Sequence, residues 1–86
     1  MTTHVDGNAI AGILMEIFAV DMTDSRGECA NCNDVAPLAD TRVYLQAPGV
    51  VVRCRSCGAV LATIVEEGTG HRRINLQGLA WLDVAH

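Results

Sequence analysis

The four cysteines of this 86-residue chain form two Cys-x-x-Cys pairs, Cys29–Cys32 and Cys54–Cys57, with 21 residues between the pairs. A gap of two residues lets the chain turn so that both sulfurs face one ion about 2.3 Å away, and two such turns complete a tetrahedron. The pairs therefore predict one metal site, with a ligand set made only of cysteines: Cys29, Cys32, Cys54 and Cys57.

The residue after each pair supports this interpretation. Gly58 follows the second pair and Asn33 follows the first. Glycine, and next to it asparagine, best tolerates the left-handed backbone conformation. That conformation turns backbone N–H groups toward the sulfurs and offsets thiolate charge. We therefore expect both residues to adopt it.

Two other interpretations of the cysteines are weaker. A thioredoxin-type redox pair needs a Cys-x-x-Cys at the start of a helix in a βαβ unit, and neither pair has that context. Disulfides form mainly in secreted proteins. The apolar stretch Ala9–Val20 has no Lys or Arg before it and is interrupted by Glu16, which argues against an export signal. It is also too short to span a bilayer. We expect a cytoplasmic protein with reduced thiols and no membrane contact.

The two pairs, the second in the form Cys-x-x-Cys-Gly, resemble the zinc-ribbon superfamily over residues 29–66. More loosely, the chain is similar to a family of small uncharacterised actinobacterial proteins that begin with an Asp-Gly-Asn-Ala helix, here Asp6–Ala9. The first resemblance implies one structural Zn²⁺ per chain, and nucleic-acid binding or docking onto larger assemblies. Zinc is favoured over iron because the first pair lacks the following glycine and aromatic residues are scarce.

The hydrophobic pattern predicts an α+β fold, a small zinc ribbon with antiparallel β-hairpins and one N-terminal helix. We expect one domain over 1–86, with an apolar helix at 6–20 that Asp6 caps, a ribbon core at 29–66 and closing strands at 71–84. Residues 21–28 and 33–39 have the composition of loops, and Pro48-Gly49 and Gly68-Thr69-Gly70 predict turns.

Four strands are expected, at 41–46, 50–53, 59–65 and 71–77, with a short closing segment at 79–84. In the first strand Thr41, Val43 and Leu45 alternate with outward residues. The third strand is apolar on both faces and is therefore expected in the interior of the sheet.

The helix has an apolar arc wider than a surface helix needs. At 100° per residue the arc includes Ile10, Ile13, Leu14, Ile17, Phe18 and Val20, and Ala11 and Met15 extend it. One interpretation is a helix clamped over a small core. The other is that part of this face meets a partner protein or a second copy of the chain.

Charge is distributed unevenly: residues 1–40 hold seven of the ten acidic residues, and residues 41–73 hold five of the six arginines. Arg42 and Tyr44 share one face of a predicted strand, and Arg53 and Arg55 flank Cys54. Aromatic rings between cationic groups are typical of single-strand nucleic-acid sites. An isoelectric point near 5.1 opposes that function.

Nothing in the sequence predicts a catalytic centre. His4 and His86 lie near the termini, His71 lies beside Arg72 at a predicted turn, and no phosphate-binding glycine motif is present. We expect a non-enzymatic binding module that acts through protein–protein interaction or self-association. The alternatives are a nucleic-acid-binding regulator, and a thiol switch that loses its zinc on oxidation.

Overall fold

The computed structural model of the chain describes residues 4–46, 49–68 and 70–84. In chain order its elements are β1 (Val5–Asp6), a first 3-10 turn (Gly7–Ile10), α1 (Ala11–Phe18), β2 (Arg26–Cys29), β3 (Val35–Pro37), a second 3-10 turn (Leu38–Asp40), β4 (Arg42–Gln46), β5 (Gly49–Arg53), β6 (Val60–Glu66), β7 (Arg72–Asn75) and β8 (Leu79–Leu82). One helix and antiparallel strands confirm the predicted α+β class.

The strands form two sheets, a five-stranded sheet in the order β1-β4-β5-β6-β7 and a three-stranded sheet in the order β3-β2-β8. In the larger sheet Val43 lies opposite Val52, and Val52 lies opposite Ala62. These side chains form one cluster with Ile10 and Leu14 from the helical segment. The helix therefore covers the inner face of the larger sheet.

The predicted helix is present but shorter, and it begins differently. Asp6 caps it as expected, because its Oδ1 accepts a hydrogen bond from the backbone N–H of Asn8 at 3.1 Å. The first turn is 3-10, and the α-helix ends at Phe18 because Ala19 adopts the left-handed conformation with φ 62°. Met15, on the predicted apolar arc, is 46% exposed.

The prediction of loops at 21–28 and 33–39 is wrong in part, because these segments contain β2 and β3. Arg26 pairs with Pro37, and Glu28 pairs with both Val35 and Trp81. The segments lack apolar alternation. β2 and β3 pair with each other, and the pairing of β2 with distant β8 completes the three-stranded sheet. This second sheet was not predicted.

The predicted hairpin strands of the larger sheet are confirmed with small shifts in their ends. Pro48 and Thr69, each part of a predicted turn, lie outside the described residues. β6 lies between β5 and β7, as its apolar sequence predicted. Thr41 and Val43 are buried, but Leu45 is 56% exposed rather than inward, since it lies at the end of β4 beyond the packed core.

Two ion pairs of Arg72 connect α1 with β6 and β7, at one edge of the larger sheet. Arg72 donates to Glu16 Oε2 at 3.2 Å and to Glu66 Oε1 at 3.3 Å. The two carboxylates raise the pKa of Arg72, the helical Glu16 contributing more. The helix is thus held over β6 and β7 by charge as well as by packing.

Candidate metal centre

Each cysteine pair forms a tight turn, here called a knuckle: the first knuckle is residues 29–34 and the second is residues 54–59. Both are closed by the same two backbone hydrogen bonds, one from the fifth residue to the carbonyl of the first and one from the first residue to the carbonyl of the sixth. The donor–acceptor pairs are Asn33 to Cys29 at 2.9 Å, Gly58 to Cys54 at 3.0 Å, Cys29 to Asp34 at 2.9 Å and Cys54 to Ala59 at 2.8 Å. The two knuckles are therefore local structural repeats.

The left-handed residues occupy the same place in each knuckle. Asn33 has φ 67° and Gly58 has φ 77°. This agrees with the expectation from the sequence, and it explains why the chain can reverse within two residues of the second cysteine. An asparagine serves in the first knuckle because its side chain tolerates the conformation better than most.

The two knuckles face each other, and their sulfurs meet crosswise. Cys29 Sγ lies 3.7 Å from Cys57 Sγ, and Cys32 Sγ lies 3.6 Å from Cys54 Sγ. All four sulfurs lie within 4.8 Å of one another. Within the described ranges this is the one cluster of metal-ligating side chains.

These distances fit a metal ion and not a disulfide. The edge of a tetrahedron of sulfurs about 2.3 Å from its centre is about 3.8 Å long. A disulfide bond measures about 2.0 Å, and all four cysteines are free thiols. The donor set therefore suits one thiophilic ion at the centre of the four sulfurs.

The cluster is half buried. Cys29 and Cys54, each 2% exposed, belong to the hydrophobic core, whereas Cys32 and Cys57 are exposed. The first cysteine of each knuckle thus anchors the site in the interior, and the second one faces solvent. The site and the core are continuous.

Three N–H groups point at sulfurs of the second knuckle. The backbone N–H of Ser56 donates to Cys54 Sγ at 3.3 Å, and that of Ala59 donates to Cys57 Sγ at 3.4 Å. The Asn31 side chain reaches across from the first knuckle to Cys57 Sγ at 3.5 Å. The Asn31 amide, followed by the Ala59 N–H, lowers the pKa of the Cys57 thiol to about 6.

The pKa of the Cys32 thiol shifts in the opposite direction to that of Cys57, which indicates that the cluster favours a bound cation. The Asp34 N–H lowers the pKa of this thiol, but desolvation and the neighbouring sulfurs outweigh it and raise the pKa to about 12. Four thiolates this close repel one another, so without a cation some of them keep their protons. A divalent ion would replace those protons.

A carboxylate ties the two knuckles together. Asp34 accepts hydrogen bonds from Arg55 Nε at 3.0 Å and from Ser56 Oγ at 2.9 Å. Arg55 also donates from Nη1 to Asp40 Oδ2 at 3.3 Å. The Arg55 and then the Ser56 hydrogen bonds lower the pKa of Asp34. Sequence reasoning missed these partners, although an acid in the first knuckle and an arginine in the second were a usable signal.

The candidate nucleic-acid residues separate into two places. Arg42 lies directly opposite Arg53 in the sheet, and Tyr44 lies two residues along the same face. The Arg53 guanidinium is 5.7 Å from the Tyr44 ring centroid, and the His4 ring is 5.6 Å from it. Arg55 lies instead on the second knuckle, bound to Asp34 and Asp40.

Other sequence candidates add nothing to the site. His71 is exposed near Arg72, and His86 lies outside the described residues. Among the residues described, no helix has the length and apolar character needed to cross a bilayer.

Comparison with known proteins identifies a family. A family model described as "Family of unknown function (DUF6510)" matches residues 1–86. The chain belongs to this family. No curated protein and no solved structure matches the chain. The family description names no metal, so the zinc-ribbon resemblance rests on the four clustered cysteines, which are compatible with it.

Proposed function

We propose that the protein is a non-enzymatic binding module whose fold is stabilised by one structural zinc ion. The observation that carries this proposal is the cross-knuckle sulfur geometry, 3.6 and 3.7 Å, close to the edge of a tetrahedral thiolate site. Four thiolates complete the coordination of zinc and leave no position for water or substrate. The ion would therefore act on the fold and not on a reaction.

Zinc is the ion we favour among those that accept four thiolates. Tetrahedral sulfur sites hold zinc or iron. Cys32 and Cys57 are exposed to solvent. Zinc, unlike iron, has no redox chemistry, so it suits a site that is open on this side. Structural zinc contributes apparent binding free energies of about 10–16 kcal/mol at neutral pH, comparable with or above the ~5–15 kcal/mol net stability of a domain.

Metal analysis tests the proposal directly. Protein purified without added chelator is expected to contain one zinc per chain, measured by elemental analysis together with native mass spectrometry. Cobalt(II) in place of zinc is expected to give the absorption of a tetrahedral tetrathiolate. A folded protein without metal, or one that carries iron, would contradict the zinc assignment.

We propose further that the outward face of α1 contacts another protein chain, either a partner or a second copy. Met15 is 46% exposed on this face, and Gly12 and Ala19 beside it are also exposed. Its charged residue, Glu16, is engaged by Arg72. An apolar face of this kind supports association because binding it removes little charge from water.

Native mass after substitution tests this contact. If the chain self-associates through α1, Met15→Glu is expected to convert dimers into monomers. Val35→Glu, at a 39% exposed valine of the smaller sheet, is the matched control and should leave the mass unchanged. Dimers that survive Met15→Glu would exclude this face as the contact.

A second candidate function is supported by one specific arrangement. Arg42 and Arg53 are directly opposed, which is unfavourable for like charges, and the Tyr44 ring lies beside them. A bound phosphate with a stacked base would relieve that repulsion.

Since Arg53 also donates to the Gly58 carbonyl at 2.9 Å, Arg42→Ala is the cleaner test of this function. Loss of salt-sensitive binding to labelled single-stranded oligonucleotides, with Arg26→Ala as control, would support it, and no binding at low salt would exclude it.

A further inference from the structure

The Asp34 carboxylate directly follows the first knuckle's left-handed residue and makes its contacts to the second knuckle. It accepts from Arg55 Nε at 3.0 Å, from Arg55 Nη2 at 3.4 Å and from Ser56 Oγ at 2.9 Å. Arg55 and Ser56 are the two residues between the cysteines of that knuckle. Asp34 therefore holds the segment that sets the spacing of Cys54 and Cys57.

The contacts of Asp34 to Arg55 and Ser56, here called the brace, have no counterpart elsewhere in the two knuckles, although the knuckles are structural repeats. The position equivalent to Asp34 in the second knuckle is Ala59, and Arg55 corresponds to Ala30 in the first. Neither alanine can make the equivalent contact. Among the described side chains, the hydrogen bonds that join one knuckle to the other outside the sulfur pairs are those of Asp34 and the weaker contact from Asn31 to Cys57.

The brace is also anchored behind the site. Arg55 Nη1 donates to Asp40 Oδ2 at 3.3 Å, and Asp40 ends the second 3-10 turn, beside buried Thr41. The side chain of Asp34 is only 24% exposed. A partly enclosed carboxylate with two N–H donors and one hydroxyl donor is better defined than a typical surface ion pair.

We propose that Asp34 is a positioning residue for the metal centre, which aligns the second knuckle with the first before the ion binds. The inference rests on the proposed metal binding. Asp34 is not a ligand, since its carboxylate is committed to Arg55 and Ser56 and lies outside the cluster of four sulfurs. A site aligned in advance loses less conformational freedom on binding, so it binds the ion more tightly.

The expected effect is on metal affinity. Loss of groups that orient metal ligands typically weakens binding by about 10–100-fold. Asp34→Ala is expected to fall in this range when zinc affinity is measured by competition with a chromophoric chelator. Asp34→Asn, which keeps an acceptor oxygen, is expected to be intermediate. Asp24→Ala removes the same charge from an exposed acid that, among the described residues, makes no hydrogen bond or ion pair to either knuckle, and it should leave the affinity unchanged.

A double-mutant cycle with Arg55→Ala separates alignment from general stability. If Asp34 acts through Arg55, the double variant binds zinc no more weakly than the weaker single variant. The cobalt spectrum of each variant should keep its tetrahedral form, since all four thiolates remain. Equal zinc affinity for Asp34→Ala and wild type, with only a lower unfolding temperature, would overturn the inference. Wild-type protein that binds no zinc would overturn the metal proposal itself and this inference with it.

Discussion

Single residues decide whether each cysteine pair can close on an ion. Asn33 and Gly58 hold positive φ angles at matching positions, and the backbone hydrogen bonds of both knuckles depend on them. A Cβ on Gly58 would meet nothing within 4 Å, and the same is true of Gly12 in α1. The two glycines differ in backbone conformation and not in the space around them.

This difference gives a matched pair of substitutions. Gly58→Ala is expected to lower the free energy of unfolding of the metal-saturated protein by about 1–2 kcal/mol, because an L-residue is strained at this φ. Gly12→Ala adds the same methyl group in a helix and is expected to raise stability by up to ~1 kcal/mol. Denaturant titration measures both. Equal effects of the two changes would contradict the role of φ at Gly58.

The cysteines themselves differ in burial, and serine substitutions should show it. Cys29→Ser and Cys57→Ser each remove one thiolate, so we expect both to lose zinc and to unfold or become insoluble. Cys29→Ser should be the worse of the two, since it also places a hydroxyl in the core where Cys29 is 2% exposed. Soluble expression, circular dichroism and metal content test this order. Full stability of either variant without metal would refute a structural ion.

At the scale of elements, Gly78 joins the two sheets to the metal site. Its N–H donates to the Leu61 carbonyl at 3.1 Å, and its carbonyl accepts from Ala30 in the first knuckle at 2.9 Å. A Cβ on Gly78 would collide with the backbone of Val60 and Leu61. The position where the chain passes from β7 of the larger sheet to β8 of the smaller one therefore admits no side chain.

Gly78→Ala is expected to destabilise the protein by at least about 2 kcal/mol, because backbone atoms cannot move aside as the end of a side chain can. The loss should exceed that of Gly58→Ala, although φ at Gly78 is not in the left-handed region. Thermal unfolding of the zinc-saturated variants compares them. A neutral effect would show that β8 can shift away from β6 at little cost.

For the whole molecule, the candidate metal site and the core are one structure. The core cluster of buried residues includes Cys29 and Cys54 together with Val43, Val52 and Leu61. The chain is flattened, with extents of 38 × 35 × 20 Å, so its interior is thin. An interior of this size has little stability to spare, so it would depend on the proposed ion that two of its buried residues, Cys29 and Cys54, would share.

Removal of the metal is therefore expected to unfold the ribbon and the core together. Addition of a strong chelator at neutral pH should abolish the cooperative thermal transition, and excess zinc should restore it. Acid should act in the same direction, because protons compete with zinc for the thiolates. The lowered pKa of Asp34 adds to this, since its contribution is present above its ordinary pKa and is lost as pH falls. A transition that persists unchanged in chelator would refute the coupling.

Much of this fold could be predicted from local patterns in the sequence. The spacing of the cysteines, the residues after each pair, the alternation in β4 and the apolar runs of β5 and β6 depend on neighbours in the chain, and for this reason they could be predicted from the sequence. Hairpins bring nearby segments together, so the approach of the two knuckles followed from the strands between them.

What the amino-acid sequence determined by itself was the ligand type, the two turns that present it and the α+β class. The tertiary structure alone decided the smaller sheet, the burial of one cysteine per knuckle, the exposure of Leu45 and the brace from Asp34 to Arg55. Each of these depends on groups far apart in the chain, such as Glu28 and Trp81, which leave no periodic trace in the sequence. Contacts of that kind are set by how the elements pack, and no local propensity encodes them.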